Sequence, residues 1–272
     1  MAMSHELILE TAIRNPLKTL LNKGKPVWGT FVFEYGSLAA PRILQAAGWD
    51  FILIDMEHAC FGIETVSTLL HVSSAVGLPA LVRVPETQRS FLSRPLDAGA
   101  TGLMIPRVES REQAETIVRY TKYPSTGDRG VVLGTAHTAY RMVDGKQFLR
   151  QANRETVLIM QVETQAGLDH MEEILSVKGL DIALIGPYDL STSLGIPGEV
   201  NHPRMQRAID AFLRGCKKYG VIPGNFVTNV EDGKQWARRG MRFLIYSSDF
   251  GMLMERSQQV LSLLRGPQKG RN

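Results

Sequence analysis

Apolar and polar positions alternate along this chain with two different periods. Short apolar runs bounded by polar residues mark buried strands, and longer segments with apolar residues three and four apart mark helices. The runs lie near residues 28, 51, 80, 102, 157, 182, 221 and 243, the first spanning Val27–Val32. The helical segments lie at 37–47, 62–76, 88–98, 110–122, 167–177, 203–218 and 230–239, with a last one at 250–264. An amphipathic helix is expected over Glu6–Leu21, with Leu7, Ile8, Ala12, Ile13, Leu17 and Leu20 on one side, and an extra helix near 139–152. Glycines 48, 77, 99, 179, 220 and 240 each stand between a helical segment and a strand. Glycine ends a helix there because it enters the left-handed region without a Cβ penalty. Eight alternating units in about 250 residues predict one (β/α)8 barrel with an N-terminal helix. A doubly wound open sheet is the competitor, disfavoured because no glycine-rich dinucleotide loop follows the first strand. No internal linker interrupts the pattern, so one domain is expected across 1–272, ending in a polar tail at 267–272.

Composition narrows the class. Of 272 residues, 44% are hydrophobic and 21% charged, ordinary for a soluble globule. The net charge of +4 comes from scattered basic residues. The densest group, Arg238, Arg239 and Arg242, sits near a helix end, where cations favour the dipole. No basic stripe with interleaved aromatics suggests a nucleic-acid partner. The two cysteines, Cys60 and Cys216, form neither a disulfide framework nor a zinc spacing. No signal core and no long apolar run points to a membrane. A soluble, cytoplasmic protein of a reducing compartment is expected. The longest connection, 123–155, holds PSTGDRG and suggests a functional segment or an oligomer contact.

The candidate chemistry begins in Val157–Ser191, a strand–helix–strand unit. Glu163 ends the first strand, and Asp189 follows the second. Parallel strands joined by a helix bring both carboxylates to one edge of the sheet. Two bare carboxylates about 4 Å apart would repel by roughly 4 kcal/mol. A shared cation or proton removes that cost, and oxygen ligands favour Mg²⁺ or Mn²⁺. The alternatives are divergence to solvent, pairing with arginine, or helix capping by Asp189. Barrel enzymes place their chemistry at the carboxyl ends of the strands. Those ends carry Glu34, Asp55, Glu57, His58, Arg83, Arg107, Glu109, Gln161, Glu163, Gly186-Pro187-Tyr188-Asp189, Asn225 and Ser247-Ser248-Asp249. His58, flanked by Asp55 and Glu57, suits a base oriented by a carboxylate. Arg83 interrupts the apolar run LVRVP, so it needs an anion and suits a substrate oxyanion. Cys60 stands in no acyl-transfer motif. No lysine ends a strand, which argues against a Schiff base.

Several pieces together resemble the metal-dependent class II pyruvate aldolases of the HpcH/HpaI family. They are IDMEHACF (54–61), LVRVP (81–85), LDAGATGLMIPRV (96–108), YPSTGDRG (123–130), QVET (161–164), IGPYDLS (185–191) and GIPG (195–198). The resemblance implies a (β/α)8 barrel in a trimer or a hexamer of two trimers, with the last helix exchanged between neighbours. It implies that Glu163 and Asp189 hold a divalent metal, Mg²⁺ or Mn²⁺, with Co²⁺ as a further candidate. Pyruvate would chelate that ion through its keto and carboxylate oxygens. Backbone N–H groups of the Gly186-Pro187-Tyr188-Asp189 loop, from Tyr188 and Asp189, would hold the pyruvate carboxylate, and Gln161 would line the site. Arg83 would stabilise the enolate oxygen, and His58 would move protons. The histidine's partner would be Asp97, although Asp97 reads as the end of a helix; Asp55 is the rival. An aldehyde is the second substrate. Two departures from the family pattern, Tyr188 and the segment VVLGTAHTAYR, fall where the aldehyde pocket is expected. Related enzymes decarboxylate oxaloacetate, add the enolate to a pyrone, or cleave acyl-CoA thioesters, so those activities stay open. A catalytically inactive scaffold would be expected to lose one of the four key side chains, and all four are present.

Overall fold

The computed structural model describes residues 14–266. The first part of the expected N-terminal helix and the polar tail lie outside them. Within them a short helix, α1 (Pro16–Asn22), is capped by Asn15 and precedes an alternating series. The series runs β1 (Val27–Val32), α2 (Ala39–Ala46), β2 (Phe51–Asp55), α3 (Ile63–Ala75), β3 (Ala80–Arg83), α4 (Arg89–Asp97), β4 (Gly102–Ile105) and α5 (Arg111–Thr121). The 123–155 segment follows and holds α6 (Gly145–Glu155). Then come β5 (Val157–Val162), α7 (Gln165–Asp169), α8 (Met171–Leu175), β6 (Ile182–Ile185), α9 (Pro187–Ser193) and α10 (Pro203–Tyr219). The chain closes with β7 (Ile222–Val227), α11 (Val230–Arg238), β8 (Phe243–Ser248) and α12 (Asp249–Arg265).

All eight strands are parallel and pair in chain order, with β8 closing on β1. This is the (β/α)8 barrel that the alternation predicts. All six junction glycines, from Gly48 to Gly240, have positive φ. Two differences concern helices. The segment expected as one helix at 167–177 is two, α7 and α8, broken at His170, whose ring Nδ1 lies 3.0 Å from the carbonyl oxygens of Glu109 and Ala166. The extra helix begins later than expected, at Gly145, because Asp144 caps it by accepting from Gln147 N–H at 2.7 Å. Ahead of it, Ala139 and Tyr140 have positive φ and cannot continue a helix.

Alternation along each strand decides what enters the barrel. One parity fills the interior: Phe31, Phe51, Leu53, Leu81, Met104, Ile159, Leu184, Phe243 and Ile245. Phe51 and Phe243 stack at 4.4 Å near the amino-terminal ends of their strands. Gly29 makes room there, since a Cβ would collide with the Phe51 ring. The other parity packs on the surrounding helices, as with Ile52, Ile54, Val82, Leu103, Leu158 and Met160. At the carboxyl ends the interior parity turns polar, at Asp55, Arg83, Gln161 and Glu163. These four therefore stand at one mouth, on top of an apolar plug. No helix among the described residues is long and apolar enough to cross a membrane.

Candidate active site

Asp55 and Arg83 are register partners on adjacent strands and are both buried. Arg83 Nε donates to Asp55 Oδ1 at 2.5 Å. The Asp55 carboxylate also accepts from the backbone N–H groups of His58 and Ala59 at 2.8 and 3.1 Å. It therefore fixes the loop that carries Glu57 and His58. Glu57 Oε2 stands 3.1 Å from Arg83 Nη1 and 3.7 Å from His58 Nε2. The guanidinium stacks over the Phe31 ring, 4.6 Å from its centroid. An arginine buried inside a barrel is thus paid for by two carboxylates and an aromatic face.

Glu163 lies on the neighbouring β5–β6 wall and is buried. Its Oε1 accepts from the backbone N–H of Arg107 at 2.9 Å, and its Oε2 accepts from the Gln161 amide. Arg107 reaches that carboxylate from a left-handed conformation, φ 50°. Such backbone costs energy in a non-glycine residue and persists where the surroundings impose it. Gly186 closes against the same carboxylate; a Cβ there would stand 2.5 Å from Glu163 Oε2. Asp189 is exposed in the first turn of α9, whose N-cap is Gly186, so Asp189 is not the cap.

The electrostatics point to one cluster. Burial raises the Glu163 carboxyl to about 7, with further upward pressure from Asp189 and Glu57, against the Arg107 N–H and Arg83. Burial also raises Glu57; Arg83 and His58 pull it down, and Asp55 and Asp189 push it up. Three carboxylates, Glu57, Glu163 and Asp189, therefore feel one another across the mouth, opposite one guanidinium. The donor set suits a hard divalent cation. Gln161 Oε1 is buried with no hydrogen-bond partner. Among the described residues no group of three or more His, Cys, Asp or Glu forms a ready cage. Two carboxylates with the remaining positions left to substrate and water is how Mg²⁺ is commonly held.

The structure thus brings together Asp55, Arg83, Gln161, Glu163, Gly186, Pro187, Tyr188 and Asp189 at one mouth, with His58 exposed at its rim. It does not bring Asp97 there. Asp97 ends α4, on the side of the barrel away from the mouth, and its carboxylate pairs with the buried Arg129. Asp55, the rival partner, contacts the His58 backbone; the carboxylate facing the His58 ring is Glu57. Sequence reasoning named Glu57 beside His58 but not its pairing with Arg83, which its parity with Asp55 could have suggested. It also left Asp249 unassigned. That side chain accepts from the backbone N–H groups of Phe33, Glu34 and Tyr35, at 3.2, 3.0 and 2.8 Å, and holds the loop after β1.

Comparison with known proteins identifies the family. A sequence model of the HpcH/HpaI aldolase/citrate lyase family matches residues 36–255. The chain belongs to this family. It is 35% identical over 257 residues to a hydroxypyruvate/pyruvate aldolase of Paraburkholderia phytofirmans, covering 92% of this chain and 98% of that one. It is 33% identical over 265 residues to a 2-keto-3-deoxy-L-rhamnonate aldolase of Escherichia coli, covering 96% and 97%. The crystal structure of an HpcH/HpaI aldolase from Desulfitobacterium hafniense superimposes with a TM-score of 0.88 at 32% identity, covering 94% of this chain and 99% of that one. This member of the family is an enzyme, a carbon–carbon lyase of the aldolase type.

Proposed function

We propose that the enzyme makes and breaks the bond between C3 of pyruvate and an aldehyde carbon, acting on 4-hydroxy-2-oxo acids with a divalent ion, Mg²⁺ or Mn²⁺, held by Glu163 and Asp189. The observation that carries this is the clustering of Glu57, Glu163 and Asp189 opposite the buried guanidinium of Arg83. The ion, when bound, supplies Lewis-acid polarisation of the keto oxygen. The chain's own groups do the rest. First-turn N–H groups of Tyr188 and Asp189 are free of helical partners and can take the pyruvate carboxylate. Arg83, locked by Asp55 and Glu57, presents fixed positive charge where the keto oxygen becomes negative. His58, at the rim with Glu57 beside its Nε2, moves protons between the substrate and solvent. Co²⁺ offers the same charge and accepts the same oxygen ligands.

Assembly belongs to the same reading. α12 buries only Asp249, at its first position, and leaves Phe250, Leu253, Met254, Leu261, Leu263 and Leu264 exposed. An apolar helix so placed supports a homo-oligomer in which it docks on a neighbour. Both cysteines are free, which suits the cytoplasm.

The deciding experiment is hydrogen–deuterium exchange of the pyruvate methyl group in D₂O, followed by NMR, with Mg²⁺ rather than the line-broadening Mn²⁺. Exchange is expected with Mg²⁺, is lost in excess chelator, and falls by at least about 100-fold in Glu163→Gln. Absence of exchange in the Mg²⁺-loaded enzyme would remove the basis for the proposal.

A further inference from the structure

A row of aromatic rings climbs one wall of the mouth. Phe31 and Phe33 lie two residues apart at the end of β1, on one face. Their rings are 5.0 Å apart between centroids. Phe226 of β7 meets Phe31 edge-on at 5.8 Å. Phe250, in the first turn of α12, meets Phe33 edge-on at 5.9 Å. Exposure increases along the row: Phe31 is buried, Phe33 half-buried and Phe250 exposed. At its buried end the row touches the chemistry, because the Arg83 guanidinium carbon lies 4.6 Å from the Phe31 centroid and 5.8 Å from that of Phe33. In the closed strand order β1 stands diametrically opposite β5, which carries Glu163.

Those placements assign a role. A 2-oxo acid held at Glu163 and Asp189, with its keto oxygen towards Arg83, fills the β5–β6 side of the mouth. The space left for a second substrate borders the β1 wall. The charges left around that space repel a second anion: the ion would neutralise Glu163 and Asp189, the bound 2-oxo acid adds a carboxylate, and Arg83 is already paired with Asp55 and Glu57. Arg107 stands on the β4 loop beside Glu109, at 3.8 Å. Resting on the enolate reading above, we propose that Phe31, Phe33 and Phe250 form the acceptor subsite, and that the aldehyde it takes carries an apolar substituent, aromatic or branched alkyl, rather than a carboxylate or phosphate. The step is balanced. C3 of pyruvate loses a proton and bonds to the aldehyde carbon, and the aldehyde oxygen gains a proton, with no change in overall oxidation state.

The test is the rate of aldol formation from pyruvate and four acceptors: benzaldehyde, isobutyraldehyde, D-glyceraldehyde and succinic semialdehyde. The kcat/KM for the first two is expected to exceed that for succinic semialdehyde by about tenfold or more. Phe33→Ala and Phe250→Ser should each lower the two apolar values several-fold further than the D-glyceraldehyde value. A wild-type preference for succinic semialdehyde, or an equal loss across all four acceptors in both variants, would overturn the proposal. Methyl exchange of pyruvate is measured alongside. Exchange without the apolar preference would sink this inference alone, whereas no exchange in the wild-type enzyme would sink the enolate reading and this one with it.

Discussion

Gly186 shows how little room the site has. Its φ of −93° suits any residue, so its backbone does not require glycine. The requirement is space, since a methyl group would stand 2.5 Å from Glu163 Oε2 and 2.9 Å from the Gln161 amide nitrogen. Gly186→Ala should therefore fold and yet displace the carboxylate. A shift of about 1 Å at a reacting centre costs about 100-fold. The expected result is a loss of that size in pyruvate methyl exchange, with Tm lowered by only a few degrees; unimpaired exchange would show that Glu163 has room to move. At this scale much was legible beforehand. Arg83 stood out as a charge in an apolar run, and the parity of β2, β3 and β5 puts Asp55, Arg83, Gln161 and Glu163 on one side. What stayed hidden acts through the backbone. Arg107 matters through its N–H and a left-handed φ, neither of which leaves a mark in residue type. The resemblance-based pairing of Asp97 with His58 does not occur within the chain, where Asp97 faces Arg129.

The elements were legible wherever a single period ran unbroken. Strands and long helices agree with the alternation to within a few residues. The 123–155 segment was harder, because its structure is set by long-range contacts. Lys122, just past α5, is buried and donates to the carbonyl oxygens of Asn153 and Thr156, each at 2.8 Å, tying α6 to the barrel. Burial lowers its pKa from 10.5 to about 8, with Asp181 opposing and Lys18 and Arg129 assisting. A lysine depressed in the folded state binds its proton more tightly when unfolded. Between pH 8 and 10.5 the unfolded chain therefore holds more protons, and stability from this group rises with pH. From pH 7.5 to 10, denaturant unfolding of the wild type should gain about 2 kcal/mol relative to Lys122→Met. A difference that stays flat would mean that the two carbonyls keep the ammonium charged throughout.

For the whole molecule, the last helix of the barrel is the one whose apolar side chains the rest of the described chain leaves uncovered. α12 begins where Asp249 holds the β1 loop, and it carries five large apolar side chains beyond Phe250 in water. Such a surface is costly for a lone subunit. If a second copy covers it, light scattering should show a mass several times 30.2 kDa, and Leu264→Asp should lower it. A monomer at all concentrations would refute the docking of α12. Phe250 ties this helix to the aromatic wall of the mouth, so in such an oligomer assembly and turnover would share a structural element. Mass action would then govern the enzyme: each dilution would shift the equilibrium towards separated chains. Its Tm would climb with protein concentration, and activity per milligram would fall at high dilution. Stability would then be a property of the solution as much as of the sequence.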